Sequence, residues 1–179
     1  LSKNRDSILE IAAIVVDENG SIIDGAVYNT FINPQKPIPF PISQLTGIED
    51  KHVKNAPTEF MAIKGFVDFI KKYNVGAIAG HNIQRFDIPF ITERANQWNI
   101  TLNLPTNVID ALTMAKEKHK AGLLPNYHFT TAKGNLSFKL ECLMEYYNIG
   151  DQDHRAINDV RHNIEVYREL TSKEEDYGF

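Results

Sequence analysis

One cysteine is all the chain contains. Cys142 lies in the apolar run Leu140-Glu141-Cys142-Leu143-Met144 and can form no internal disulfide. That excludes a disulfide-stapled secreted scaffold and fits a reducing compartment. A lone cysteine in such a run is expected in the core. No stretch approaches the roughly 18 consecutive apolar residues of a membrane span, and no signal-peptide pattern opens the chain. The expectation is an intracellular, cytoplasmic protein with no membrane partner. An excess of positive charge is lacking too: 19 Lys and Arg face 23 Asp and Glu, for a formal net charge of −4. This argues against a broad basic face that coats duplex nucleic acid. It leaves room for a cleft that grips one strand end. Repeats and long low-complexity segments are missing as well. What remains is a 179-residue chain with 42% hydrophobic and 23% charged residues, the proportions of one globular domain with a real core.

The hydrophobic pattern gives a coarse element order. Ile8 to Val16 reads as a mostly buried strand. Asp17-Glu18-Asn19-Gly20 is a turn with the Asn-Gly pair of a hairpin. Ile22 to Ile32 returns, with Val27 and Phe31 as expected core positions. Pro34, Pro37, Pro39 and Pro41 predict an extended, helix-free segment. Thr58 is placed to cap a helix in which Phe60, Ile63, Phe66, Val67 and Ile70 recur at helical spacing. Val75 to Ala79 is a short strand, Phe90 to Trp98 a helix, and Val108-Ile109 a strand ending at Asp110. A helix follows through His119. The Gly-, Pro- and polar-rich stretch from Ala121 to Asn135 reads as an exposed loop. Leu136 to Tyr147 and Ile157 to Leu170 are the last two helices, the final one with Ile157, Val160, Ile164 and Tyr167 as an apolar stripe. Residues 171–179 form a charged, frayed tail. A hairpin followed by α/β crossovers predicts a mixed sheet covered by helices.

Two acidic islands carry the chemistry. One is the hexapeptide His154-Arg155-Ala156-Ile157-Asn158-Asp159, at the start of the last helix. The other is Gly80-His81-Asn82-Ile83-Gln84-Arg85-Phe86-Asp87, which follows a strand. Phosphodiester hydrolysis needs an activated water and stabilised phosphate charge, and two divalent cations about 4 Å apart supply both. Magnesium and manganese take oxygen ligands, so such sites are built from carboxylates. Asp87 and Asp159 are the candidate ligands. His154 precedes the helix on a loop, where it could take a proton from the attacking water. Each residue alone has a plainer reading: Asp87 as a helix N-cap beside Pro89, Asp159 as a helix-dipole complement, His154 as a surface histidine. His162, three residues past Asp159, is most simply solvated helix surface, and Arg85 a solvent-facing charge. Asp110 and Glu10 read as structural or supporting residues rather than ligands. Asp17-Glu18 and Glu174-Glu175-Asp176 are solvated turn and tail charges.

The joint pattern resembles the DEDDh-type 3′–5′ exonucleases of the ribonuclease-H-like superfamily, the group of DnaQ-like proofreading subunits and three-prime repair exonucleases. Ile8 to Ile14 is similar to the family's second strand. Leu45-Thr46-Gly47-Ile48 is similar to its nucleotide-packing loop, Gly80 to Asp87 to its second motif, and His154 to Asp159 to its third. Three residues separate Asn82 from Phe86, and Pro89 follows Asp87. That longer spacing is similar to three-prime repair exonucleases and some stand-alone bacterial relatives. The resemblance implies an α/β, ribonuclease-H-like mixed sheet flanked by helices. It implies a metal-dependent 3′–5′ exonuclease acting on single-stranded ends, DNA favoured over RNA, with two Mg2+ or Mn2+ ions. His154, Asp159 and Asp87 would be catalytic, with Asp87 and Asp159 as metal ligands. Leu45, Thr46, Asn82 and Phe86 would bind substrate, Leu45 and Phe86 by packing on the terminal bases. By analogy the protein would form a homodimer through the edge of the Ile22–Ile32 strand or associate with a polymerase.

The family's first motif, Asp-x-Glu on a central first strand, has no counterpart in the residues given. Leu1 to Asp6 resembles the loop just after it. The expectation is therefore an N-terminally truncated exonuclease domain over 1–170, itself inactive or impaired. A sheet lacking its central strand leaves flanking strands with unsatisfied backbone groups, at about 1–3 kcal/mol for each buried one. The alternative reading is a non-catalytic nucleic-acid-binding relative of the same fold.

Overall fold

The computed structural model describes residues 6–150 and 154–172. The elements run β1 (Glu10–Val16), β2 (Ile22–Phe31), α1 (Phe40–Thr46), α2 (Asp50–Val53), α3 (Glu59–Tyr73), β3 (Ala77–Gly80), α4 (Asp87–Gln97), β4 (Asn107–Asp110), α5 (Ala111–Lys120), α6 (Asn126–Phe129), α7 (Leu140–Tyr146) and α8 (Ala156–Thr171). The hairpin turn forms where Asn19-Gly20 predicts it. Asp17 Oδ1 accepts the amides of Asn19 and Ser21, and Gly20 takes φ +77°. Arg168, near the end of α8, donates two bonds to the Gly20 carbonyl, so the last helix locks the first turn.

Strands of both orientations are present: β1 pairs with β2 antiparallel, β3 with β4 parallel. Among the described residues they form two separate two-stranded ribbons rather than one continuous sheet. The β1–β2 ribbon is held by helices packed on it. α8 lies on β1, α5 and α7, and α3 lies on β1, β2 and α4. β1 is accordingly half-buried, with Val15 its one fully buried residue, rather than the mostly buried strand expected.

The core collects under the C-terminal helices. Ala111, Ala115, Leu124, Phe129, Phe138, Leu140, Leu143, Met144, Ile149, Val166 and Leu170 form one buried cluster. The inner face of α8 is centred on Val166 and Leu170. Ile157, Val160, Ile164 and Tyr167 are half-buried beside it. Thr58 caps α3 by accepting the Met61 amide, as its position predicts.

Several expectations need correction. The proline segment is not helix-free: α1 starts at Phe40 and accommodates Pro41 in its first turn, where no amide partner is required. Val27 is exposed, because Ala26, Tyr28 and Ile32 take the inward phase of β2. Phe31 is half-buried. The stretch from Ala121 to Asn135 is no simple exposed loop, since it carries α6 and buries Leu124 and Phe129. The Phe129 ring sits 4.9 Å from Phe138 and 5.2 Å from Tyr146, and this apolar anchor outweighs the polar composition around it. α7 starts at Leu140 rather than Leu136. The preceding residues are extended, with Ser137 donating to the Phe129 carbonyl. Cys142 is half-buried at the margin of the core, its Sγ 3.7 Å from the Ser137 hydroxyl. The charged tail from 173 onward, including Glu174-Glu175-Asp176, lies outside the described residues.

Candidate active site

The two islands are built by two buried carboxylates. Asp110, at the C-terminal end of β4, caps α5 by accepting the Leu112 amide at 3.0 Å. The same carboxylate accepts the Asn82 amide at 2.9 Å and the Gln84 amide at 3.3 Å. It thereby folds the turn after β3 back onto the strand ends. Gly80 fits this turn because a Cβ there would lie 2.9 Å from Ile83 Cδ1 and 3.1 Å from its Cβ. Glu10, at the start of β1, performs the matching role for the hexapeptide. It accepts from Arg155 Nη2 at 3.0 Å, from Arg155 Nε at 3.2 Å and from the Ala156 amide at 2.9 Å.

Asn82 and His154 both adopt left-handed backbone, at φ 57° and 56°. Non-glycine residues accept this conformation only where the surroundings dictate it. Each is the polar residue that opens a motif turn.

Asp87 is the first residue of α4, with Phe86 in the N-cap position. No side chain caps this helix, so Asp87 is not the helix cap of its plainer reading. The residue as a whole is exposed. Desolvation pushes its pKa above the ordinary carboxylate range. Its own backbone amide opposes the shift, and the carboxylates of Asp110 and Asp159 add to it. The structure therefore brings Asp110 and Asp159 each within electrostatic reach of Asp87. Asp159 occupies the first turn of α8, its amide bonded to the Arg155 carbonyl, and is half-buried. His154 is exposed just before that turn.

The candidate substrate residues divide. Phe86 (51% exposed) and Leu45 (54%) present apolar side chains to solvent, as a base-packing role requires. The Thr46 hydroxyl is occupied within its own loop, donating to the Ile42 carbonyl and accepting the Ile48 amide. Asn82 Oδ1 is buried and lacks a partner among the described residues. Leu45 and Thr46 lie on a separate segment, linked to the hexapeptide through rings. His52 of α2 stacks on Phe31 at 6.1 Å, and the Arg155 guanidinium lies 4.7 Å over the same Phe31 ring.

Sequence reasoning underestimated His81 and His162. His162 is half-buried with its Nδ1 enclosed, not solvated surface. His81 is largely enclosed. Burial lowers its pKa below the ordinary 6.5, against the opposing pull of Asp110 and Glu141 and with a contribution from Lys116. Nothing in the hydrophobic pattern marks either ring. Only the adjacency of His81 to the Asp110-bound turn could have suggested enclosure.

The donor set suits a hard divalent cation in kind, because Asp87 and Asp159 offer carboxylate oxygens and their mutual repulsion is what a cation relieves. Among the described residues, no cluster of three or more His, Cys, Asp or Glu is arranged to hold a metal by itself. No helix among them is long and apolar enough to cross a membrane.

A family model described as Exonuclease (RNase_T) matches residues 1–167. The chain is 30% identical over 179 residues to a PolC-type DNA polymerase III of Caldanaerobacter subterraneus, covering 99% of this chain and 11% of that protein. It is 31% identical over 173 residues to the 3′-5′ exonuclease DinG of Bacillus subtilis, covering 96% of this chain and 16% of that protein. The chain thus spans a small part of the length of these relatives. In fold it is similar to E. coli exonuclease I crystallised with a dA16 oligonucleotide, at a TM-score of 0.73 and 18% identity, over 93% of this chain and 37% of that one. Its structural neighbours include DEDDh-type exonucleases, and the fold is the ribonuclease-H-like α/β class.

Proposed function

We propose that this chain, which belongs to the exonuclease family, removes nucleotides from the 3′ end of single-stranded nucleic acid, with DNA preferred over RNA. The observation that carries the reading is the electrostatic proximity of the two motif carboxylates, Asp87 and Asp159, with exposed Phe86 preceding one and exposed His154 opening the motif of the other. Asp87 and Asp159 would hold divalent magnesium or manganese. Bound there, two ions would neutralise phosphate charge and favour an attacking water. His154 would accept the proton of that water, since an imidazole works as a base near neutral pH. Phe86 and Leu45 would pack on the terminal bases, a contact that tolerates any sequence. Asn82 and Thr46 would shape the turns that present those side chains. A PolC-type relative supports association with a polymerase. The edge of β2, unpaired among the described residues and with Ile22, Ile23 and Val27 exposed, would be the route to a homodimer.

The test is digestion of 3′-labelled single strands of DNA and RNA by the full-length protein, with and without Mg2+. We expect stepwise shortening that stops on chelation, with DNA consumed faster. His154→Ala should slow it by roughly 10²- to 10⁴-fold, the usual weight of a positioned general base. An unchanged rate in His154→Ala sinks the base assignment, and retained activity in Asp159→Asn sinks the ligand assignment. Strand binding without any digestion favours the non-catalytic relative. Size-exclusion chromatography with and without polymerase separates the two assemblies.

A further inference from the structure

We propose that Glu10 is a positioning residue for the reaction, setting the backbone of His154 and the first turn carrying Asp159 through Arg155 and the Ala156 amide. The inference rests on the exonuclease reading above. The Glu10 side chain is 5% exposed, and both its oxygens face the hexapeptide. One oxygen takes Arg155 Nη2; the other takes Arg155 Nε and the Ala156 amide. Helix α8 has no cap from its own N-cap side chain. One of the amides that every helix start leaves open is satisfied instead from a strand 146 residues away.

A two-point guanidinium–carboxylate fork fixes orientation as well as distance. It holds the peptide between His154 and Ala156 from the C-terminal side, and His154 sits in left-handed backbone directly before it. Glu10 is itself fixed, paired opposite Phe31 in the β1–β2 ladder. Phe31 carries the Arg155 guanidinium on its ring and stacks with His52. The base, the Asp159 carboxylate and the segment following Leu45 are therefore referenced to one strand position. Displacing the base by about 1 Å can cost roughly 100-fold in rate without any loss of binding.

The test compares Glu10→Gln and Arg155→Lys with wild type in the full-length protein, each in the native and the His154→Ala background. It reads kcat and KM on a labelled single strand with Mg2+, and amide hydrogen exchange at Ala156. We expect Glu10→Gln to lower kcat by about 10- to 100-fold, with KM held within about threefold, and to speed exchange at Ala156. In the His154→Ala background the same change should alter the residual rate by less than about threefold, because the group it positions is gone. Arg155→Lys keeps the charge, loses the fork and should follow the same pattern more weakly, which decides the matter even with an unfolded Glu10→Gln chain. Equal losses in both backgrounds, or an unchanged kcat in either variant, overturn the positioning role. An inactive wild-type protein overturns the exonuclease reading itself, a different result from an active enzyme indifferent to Glu10.

Discussion

Glu10 and Asp110 do the same job in two halves of the molecule, with different partners. Asp110 holds the island at 80–87 through two backbone amides, those of Asn82 and Gln84, and caps α5 through a third, that of Leu112. Glu10 holds the hexapeptide through one backbone amide and a cationic side chain that belongs to the motif. A backbone clamp is indifferent to which side chains the turn carries. It needs only amides to converge, and its loss leaves buried donors unsatisfied. A side-chain clamp specifies its partner and can be weakened without unfolding the turn. The first kind should therefore appear mainly in stability, the second mainly in rate. Both contrast with Asp87, whose carboxylate is raised in pKa by desolvation and like charge against the pull of its own backbone amide.

A third acid, remote from both islands, sets the scale. Glu59 of α3 is buried and accepts Arg94 through both oxygens, with the Trp98 indole as a further donor at 2.7 Å. Arg94→Ala should lower unfolding free energy by about 4 kcal/mol, the range for stripping one partner from a buried pair. The urea midpoint at constant slope measures it, and a loss below about 1 kcal/mol places this pair among surface bridges. Asp110→Ala should cost about 3 kcal/mol, since the amides it serves are left without an acceptor. If its effect on kcat exceeds its effect on stability, the backbone-versus-side-chain distinction breaks. Gly80→Ala should cost about 1–2 kcal/mol, as Ile83 must shift to admit the new Cβ. A stabilised Gly80→Ala protein shows instead that Ile83 yields to the new Cβ without strain.

The smallest effect is a pH dependence. The His81 pKa is lowered in the folded protein, so the unfolded chain binds the proton more tightly. Stability is full above the unfolded value near 6.5 and declines as pH falls through and below it. His81→Gln should flatten that acid-side decline in a urea-denaturation series across pH 7.5 to about 5. An identical slope in the variant removes His81 from the Asp110-bound turn as a proton-linked group.

Local signals carried much of the fold. The Asn-Gly turn, the Thr58 cap and the two short strands read at Val75–Ala79 and Val108–Ile109, found at Ala77–Gly80 and Asn107–Asp110, were legible because each depends on near neighbours. The helix at Phe40 was missed because proline content was weighed against helix without regard to position in the first turn. Phe129 was missed because an aromatic anchor inside a polar stretch is visible only when Phe138 and Tyr146 close around it. For the site, the residue types and spacing of His154–Asp159 and Gly80–Asp87 pointed to carboxylate chemistry. The enclosure of His162 and His81, and the internal use of the Thr46 hydroxyl, depended on neighbours that no spacing encodes.

The sequence by itself pointed to the family and to the short-range turns that carry its two motifs, because these follow from residue type and local spacing. Only the tertiary structure decided which acids are spent. Nothing in the local sequence of Glu10, Glu59 or Asp110 shows which donors each carboxylate meets. Those donors come from distant elements: an arginine from the last helix, another from α4, and the amides of a turn. A carboxylate's role is set by how many donors fold around it, and that number exists only once the chain has closed on itself.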